Sequence, residues 1–330
     1  MIDFAPFISG TPTKKHAVAT SITDAFKNSG FLYLKDHGIP RSTITEMFTS
    51  SARFFARPQD QKDSVCWTTA QANRGYIATG KERVSQAAEA GRVEALRATN
   101  PDIKETMEIM REGVEDAPNR WPDHLDEEGK AFKRVMLSFY DQCKDLHMQI
   151  MRAIALGLNL PEYFFDEFIK IGDNNLRLLH YPPVSREIFQ KQPGKVRAGE
   201  HTDYGTVTLL FQDARGGLQA RSPKGTFVDV TPIPDTIVVN AGDLLARWSN
   251  DAVRSTRHRV VEPPIPAVDE TEDSSDMHPS RYSIAYFCNP DLETFIETLP
   301  GTYGIQQQTE RKYPGIKAGD YIVKRLAQTI

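Results

Sequence analysis

The chain has 330 residues, 39% of them hydrophobic and 25% charged, with a formal net charge of -4. This is the composition of a globular protein that can bury a large core, and it lacks the basic field that a phosphate backbone requires. Nucleic acid is therefore not expected as a partner, and a small-molecule substrate is. Cys66, Cys143 and Cys288 are odd in number and far apart, which argues against a disulfide framework and for a reducing compartment, the cytoplasm by default. The opening MIDFAPFISGTPTKKH carries an early acid and no long apolar run, unlike a signal peptide, and nothing later reads as a membrane span.

In chain order, KKHAVATSITDAFKNSG sets Val18, Ile22 and Phe26 at helical spacing, with Gly30 as the stop. FLYL follows as a strand and STITEMFTSSARFFA as a helix. Residues 125–157 form the longest helical pattern, a scaffold helix closed by Gly157. From about residue 175 the texture changes to LRLLHY, TVTLLFQD, TFVDV, TIVVNAG, STRHRVV and RYSIAYF. Short strands so closely spaced predict a β-sandwich or barrel, here a jelly-roll core under a helical outer layer. PPIPAVDETEDSSDMHPS reads as a mobile surface loop with His278 exposed in it. The expected division is an N-terminal lobe of helices and strands (1–120), scaffold helices (121–174), the jelly-roll core (175–300) and a C-terminal segment packing on it (301–330).

In GEHTDYG, His201 and Asp203 stand at i and i+2, so an extended backbone points both to one face. His258, in SNDAVRSTRHRVV, falls late enough for a neighbouring strand. Two histidines and one carboxylate on one side of an iron ion leave its other positions open for oxygen and a cosubstrate. The spacing alone is weak evidence, because WPDHLDE holds a second His-x-Asp pair, His124 and Asp126. That pair sits where a helix begins and reads as a cap. RYSIAYF places Arg281 and Ser283 on one face of a strand, where a guanidinium fork and a hydroxyl suit one carboxylate. His147, inside the long helix, reads as structural, and the basic run Arg254 to Arg259 as a solvated strand face. Cys66 and Cys288 read as reduced thiols without a catalytic role.

The motifs GFLYLKDHGIP, FFARPQDQK, NRGYIATG, WPDHL, GEHTDYGTVTLLFQDARGGLQA, VVNAGDLLARWSNDAVRSTRHRVV and RYSIAYFCNP occur in the order found in one family. The chain resembles the isopenicillin N synthase-like Fe(II)/2-oxoglutarate-dependent dioxygenases over nearly its whole length. The resemblance implies a double-stranded β-helix (jelly-roll) core flanked by N-terminal helices. Fe(II) would be held by His201, Asp203 and His258, and the distal carboxylate of 2-oxoglutarate by Arg281, Ser283 and Tyr181. Leu179 stands where relatives often carry an asparagine near the other end of the cosubstrate.

The reaction implied couples O2 and the decarboxylation of 2-oxoglutarate to hydroxylation, desaturation or ring rearrangement of a small molecule. The texture resembles fungal members that tailor aromatic or polyketide-derived natural products. Strand alternation from Tyr181 turns Leu179 and Arg177 inward and Leu178 and His180 outward; from Arg281 and Ser283 it turns Ala285 and Phe287 inward. By the resemblance Phe287 would stack on the substrate and Arg177 would steer an anionic or carbonyl-rich ring, with Leu179 as a third expected substrate contact. The alternative for Arg177 is a pairing with a protein carboxylate. Competing classes are an oxidase of the same fold that does not use 2-oxoglutarate, a zinc hydrolase and a non-catalytic jelly-roll binding protein. The hydrolase would need a general base beside the metal, and Glu200 alternates to the other face.

Overall fold

The computed structural model describes residues 1–69, 71–82, 102–192, 194–264 and 276–328. Its first strands are β1 (Ile2–Asp3), β2 (Phe31–Lys35), β3 (Gly75–Ile77), β4 (Glu105–Met110), β5 (Asn175–Tyr181) and β6 (Ala198–His201). β7 (Val207–Gln212), β8 (Leu218–Arg221), β9 (Phe227–Asp229), β10 (Thr236–Ala241), β11 (His258–Val260) and β12 (Arg281–Cys288) follow. An eight-stranded sheet runs in the order β1-β2-β10-β7-β12-β5-β4-β3, and a four-stranded sheet in the order β9-β8-β11-β6. The main helices are α1 (Pro12–Asn28), α2 (Arg41–Phe55), α3 (Glu127–Gly157), α4 (Asp243–Trp248) and α5 (Ala318–Leu326).

Alternation along the strands divides the molecule into two apolar layers. Leu176 and Leu178 on β5, Leu209 and Phe211 on β7, and Ile284 and Tyr286 on β12 pack outward against α2 and α3. Their neighbours Leu179, Tyr181, Leu210, Ala285 and Phe287 turn the other way, toward Ala198, Leu218, Ala220 and Val260 of the small sheet. The space between the sheets is the interior of the expected jelly roll. The large sheet also draws β2, β3 and β4 from the N-terminal third, so it continues across the boundaries at 120 and 174.

The long helix begins on Asp126, whose side chain accepts from the Gly129 N–H at 2.7 Å. Arg57 clamps the same carboxylate with two bonds of 2.9 and 2.8 Å. The helix ends at Gly157 for a packing reason, not a conformational one. A Cβ there would lie 1.8 Å from Thr23 Oγ1 and 2.6 Å from the Ala19 carbonyl of α1, so only glycine permits this crossing. The turn itself is made by Asn159, at φ +59°.

His278 corrects the sequence reading. It lies on a two-residue strand paired with Val184–Ser185, is 3% exposed, and contacts Glu262 at 2.7 Å. Residues 265–275 of the expected loop lie outside the described residues. The basic run is a solvated face only in part. Arg254 and Arg257 are exposed, whereas Arg259 bonds Gln219 and stacks on Phe227 at 3.9 Å.

Candidate active site

β6 ends in His201, the following turn carries Asp203, and β11 starts at His258, directly opposite His201 in the ladder. The three side chains therefore converge, each offering a donor atom within 4.8 Å of the others. The Nε2 atoms of His201 and His258 lie 3.8 and 3.6 Å from Asp203 Oδ1. Their Nδ1 atoms face the carbonyls of Gly199 (2.8 Å) and Thr256 (3.2 Å). A carbonyl only accepts, so Nδ1 carries the proton on each ring and Nε2 keeps its lone pair for the centre. Burial, reinforced by His258, pulls His201 down to about 3, which keeps that ring neutral.

Asp203 Oδ2 accepts from Thr208 Oγ1 (2.6 Å) and Asn240 Nδ2 (2.7 Å), leaving Oδ1 to face the imidazoles. Burial disfavours the charged carboxylate, but the imidazoles and these two hydrogen bonds outweigh it and hold the carboxyl below its usual range. A thiolate-free N,N,O set with its outer atoms already bonded to protein fits Fe(II). His124 and Asp126 form no such set. Asp126 is the helix cap, and His124 bonds the Trp121 carbonyl at 3.1 Å. His147 is buried in α3 against Thr206 (3.2 Å), and burial pulls it to about 3.

One end of the interior beyond the donors is walled by Arg281, Ser283 and Tyr181. The Arg281 guanidinium is 1% exposed, donates to the Gly216 carbonyl (2.9 Å) and Ser283 Oγ (3.1 Å), and lies 4.8 Å from the Tyr181 ring centre. No carboxylate among the described residues pairs with it. A buried cation beside a serine hydroxyl and a tyrosine ring suits the distal carboxylate of a dicarboxylate ligand. Leu179 and Ala285 supply apolar wall between this end and the donors.

A second cavity opens on the other side of His201 and Asp203, lined by Asn73, Glu82, Asn175, Arg177, Phe287 and Asn289, with Ile322 and Leu326 of α5 closing it. Arg177 is paired with protein carboxylates here, Nε to Glu108 at 2.7 Å and Nη1 to Glu82 at 3.1 Å, while it also lies 5.5 Å from the Phe287 ring centre. Its charge is met without a ligand, so an anionic substrate is not required. Leu178 and His180 face outward as expected; His180 bonds Glu105 (2.6 Å) and stacks on Tyr282. Glu200 turns away to Arg257 at 3.3 Å. Glu82, the acid on the cavity wall, is held by Lys104 (2.9 Å) and Arg177, so among the described residues the cavity offers no unpaired acid as a hydrolase's general base.

Thr208 and Asn240 are within reach of strand counting from TVTLLFQD and VVNAG. Asn73 lies in the motif NRGYIATG, which assigned it no role, and Glu82, Lys104 and the α5 residues come from segments with no local signature. A wider basic cleft, of about 830 Å³, shares only Thr202 with the substrate-side cavity and contains none of the donor residues.

Residues 1–124 match the model of the non-haem dioxygenase N-terminal region named for morphine synthesis, and residues 172–290 match that of the 2OG-Fe(II) oxygenase superfamily. A relative from Metarhizium rileyi, the 2-oxoglutarate-Fe(II) type oxidoreductase ppzD, is 34% identical over 99% of this chain and 90% of its own length. The chain belongs to the 2OG-Fe(II) oxygenase superfamily. This oxygenase is also 34% identical to the proline hydroxylase buaE of Petromyces alliaceus, over 99% of this chain and 98% of that protein. The crystal structure of a full-length Neurospora crassa protein in complex with alpha-KG and thymine matches with a TM-score of 0.88 and 52% identity, covering 99% of this chain and 95% of that one. The same Neurospora crassa protein has also been solved with alpha-KG and 5-formyluracil. Members of this superfamily use Fe(II), 2-oxoglutarate and O2, and His201, Asp203 and His258 form a group that could hold a metal ion. No helix among the described residues is long and apolar enough to cross a membrane.

Proposed function

We propose that this dioxygenase oxidises the methyl group of thymine or a closely related 5-substituted uracil. The observation that carries the reading is the polar pattern of the substrate-side cavity. A uracil ring is flat and neutral, and it presents two carbonyl acceptors and two N–H donors. The cavity offers the Phe287 face for stacking, the Arg177 guanidinium and the Asn175 amide as donors, and the Glu82 carboxylate as an acceptor. Asn175 Nδ2 is buried without a protein partner, as expected of a donor kept for a ligand carbonyl. Asn73 Oδ1 accepts from Trp67 Nε1 at 3.3 Å, which turns its NH2 group into a further donor. The Neurospora crassa relative was solved with thymine and with 5-formyluracil, which differ at the 5-substituent alone.

In this reading His201, Asp203 and His258 hold Fe(II), and Arg281, Ser283 and Tyr181 hold the distal carboxylate of 2-oxoglutarate. Iron(II), when bound, activates O2 at the expense of 2-oxoglutarate, which leaves as succinate and CO2. The remaining work belongs to the chain. Thr208 and Asn240 fix the Asp203 carboxylate, Phe287 and Arg177 turn the methyl group toward the donors, and Ile322 and Leu326 exclude water. Three free cysteines support placing the protein in the cytoplasm.

The test is incubation with Fe(II), ascorbate, 2-oxoglutarate and thymine, followed by mass spectrometry. Formation of 5-hydroxymethyluracil with matching succinate is expected; no thymine-dependent succinate and no oxidised methyl would overturn the reading. The second reading, tailoring of a natural product, is favoured by relatives such as the proline hydroxylase buaE at 34% identity, and it would appear as succinate formation with a larger ring or an amino acid in place of thymine and none with thymine.

A further inference from the structure

Arg197, immediately before β6, is completely buried. Its Nη2 donates to the Pro182 carbonyl at 2.6 Å, while Nε and Nη1 have no partner. No carboxylate among the described residues pairs with it. Its guanidinium carbon lies 5.3 Å from the centre of the Tyr181 ring, the same ring over which Arg281 sits at 4.8 Å. One tyrosine therefore stands against two buried guanidinium groups, neither ion-paired with a carboxylate among the described residues, Asp213 acting on Arg197 only at a distance. Burial pulls Arg197 down to about 10, and Arg281 adds to the effect, yet a group at that value remains a cation at neutral pH.

A buried, under-bonded cation opposes folding, and an apolar side chain of similar volume commonly serves stability better. Its presence calls for a compensating charge that arrives later. Two further buried cations of the interior, Lys104 and Arg177, do not share this feature, because Asp102 and Glu82 meet Lys104 at 3.0 and 2.9 Å and Glu108 and Glu82 meet Arg177 at 2.7 and 3.1 Å. Arg197 has no surface open to the interior and so does not touch a ligand there. What it touches is Tyr181 and its neighbour: it holds the backbone just beyond that residue at Pro182 and places a positive charge beside its ring.

We propose that Arg197 is a positioning residue for the cosubstrate, a second buried positive charge left uncompensated until the distal carboxylate of 2-oxoglutarate arrives beside Tyr181. The inference rests on the seat assigned above to Arg281, Ser283 and Tyr181. It sets Arg197 apart from a structural arginine in two ways. Its loss should weaken only ligands with a distal carboxylate, and it should not destabilise the ligand-free protein.

The experiment is anaerobic calorimetric titration of the Fe(II)-loaded protein with 2-oxoglutarate and, separately, with 2-oxopentanoate, which lacks the distal carboxylate. Arg197→Met, Arg197→Lys and Arg281→Lys are compared with the parent chain, together with their melting temperatures before ligand is added. Arg197→Met should bind 2-oxoglutarate about tenfold more weakly, the effect of one charge acting at a distance through a partly polar interior. It should bind 2-oxopentanoate as the parent does and melt no lower than the parent. Arg197→Lys should recover part of the 2-oxoglutarate affinity. Equal loss of both ligands, unchanged 2-oxoglutarate binding, a lower melting temperature or failure of Arg197→Met to fold would each overturn the proposal. An Arg281→Lys protein with parental 2-oxoglutarate affinity would instead show that the seat is misassigned, a separate failure.

Discussion

Arg177 and Glu108 face each other across β5 and β4, with Nε and Oε1 2.7 Å apart. Neither Glu108 oxygen has an aligned hydrogen bond, so this is a close charge contact rather than a hydrogen-bonded fork. Burial pushes the Glu108 carboxyl up, and Arg177 only partly offsets that. Glu82 meets the same burial, but Arg177 and Lys104 together hold it at about 2. The two acids that flank one arginine thus have opposite preferences, which follows from one cation for Glu108 and two for Glu82.

Glu82→Gln should therefore cost roughly 3 to 5 kcal/mol, because it takes one of two acidic partners from each of two buried cations, leaving Lys104 only Asp102 and Arg177 only Glu108. Glu108→Gln should cost much less, about 1 kcal/mol at pH 5. The pH signs also differ. Glu82, depressed in the folded state, contributes stability above its unfolded pKa of about 4.3, and this is lost as pH falls toward 2. Glu108, raised in the folded state, makes stability fall as pH rises above about 4.3, and the glutamine variant should remove that slope. Urea unfolding across this range checks both; equal costs for the two variants would show that Lys104 does not distinguish them.

Iron content separates the two His-x-Asp pairs. His201→Ala and Asp203→Ala should lose stoichiometric iron and all turnover, whereas His124→Ala should keep both. Metal analysis after anaerobic gel filtration reads this directly, and equal iron loss in His201→Ala and His124→Ala would reverse the assignment.

Arg281→Lys keeps a charge but loses the planar fork that reaches Gly216 and Ser283. Disrupting one buried charge-assisted contact costs on the order of 2 to 4 kcal/mol, so the KM for 2-oxoglutarate should rise ~30-fold or more. An unchanged KM would place the carboxylate elsewhere.

Arg177→Ala should impair thymine turnover while leaving 2-oxoglutarate binding intact, since Arg177 lines the cavity on the substrate side and its charge is met by protein. The loss should be at least about tenfold in kcat/KM, the size expected for one buried hydrogen bond to a carbonyl. A variant with the parental kcat/KM would remove Arg177 from substrate recognition.

Much of the site is legible in the sequence because its residues obey short-range geometry. His201 and Asp203 share a face two residues apart, and counting by twos from Tyr181 and Arg281 places Arg177, Leu179, Ala285 and Phe287 inside. What lies outside such counting is set by tertiary partners. Glu108 sits on an acid-rich strand, ETMEIM, whose inward face is recognisable only once Arg177 is opposite it. Arg197 has no periodic signature, and its significance is the absence of a carboxylate partner among the described residues, which only a packed structure reveals. His278 departs from its expected exposure because a Pro-rich acidic segment conceals a strand two residues long. The sheet crosses the expected boundaries because FLYLK and ETMEIM are too short to announce which strands they join.

The central claim, that His201, Asp203 and His258 form an iron centre that takes 2-oxoglutarate held by Arg281, is tested most directly by anaerobic visible spectroscopy. Fe(II) and then 2-oxoglutarate are added to the parent chain and to Asp203→Ala, Arg177→Ala and His124→Ala. The account predicts a visible metal-to-ligand charge-transfer band in the parent, in Arg177→Ala and in His124→Ala, and none in Asp203→Ala. A parent protein that binds Fe(II) but develops no band with 2-oxoglutarate, or an Asp203→Ala protein that retains it, would contradict the account.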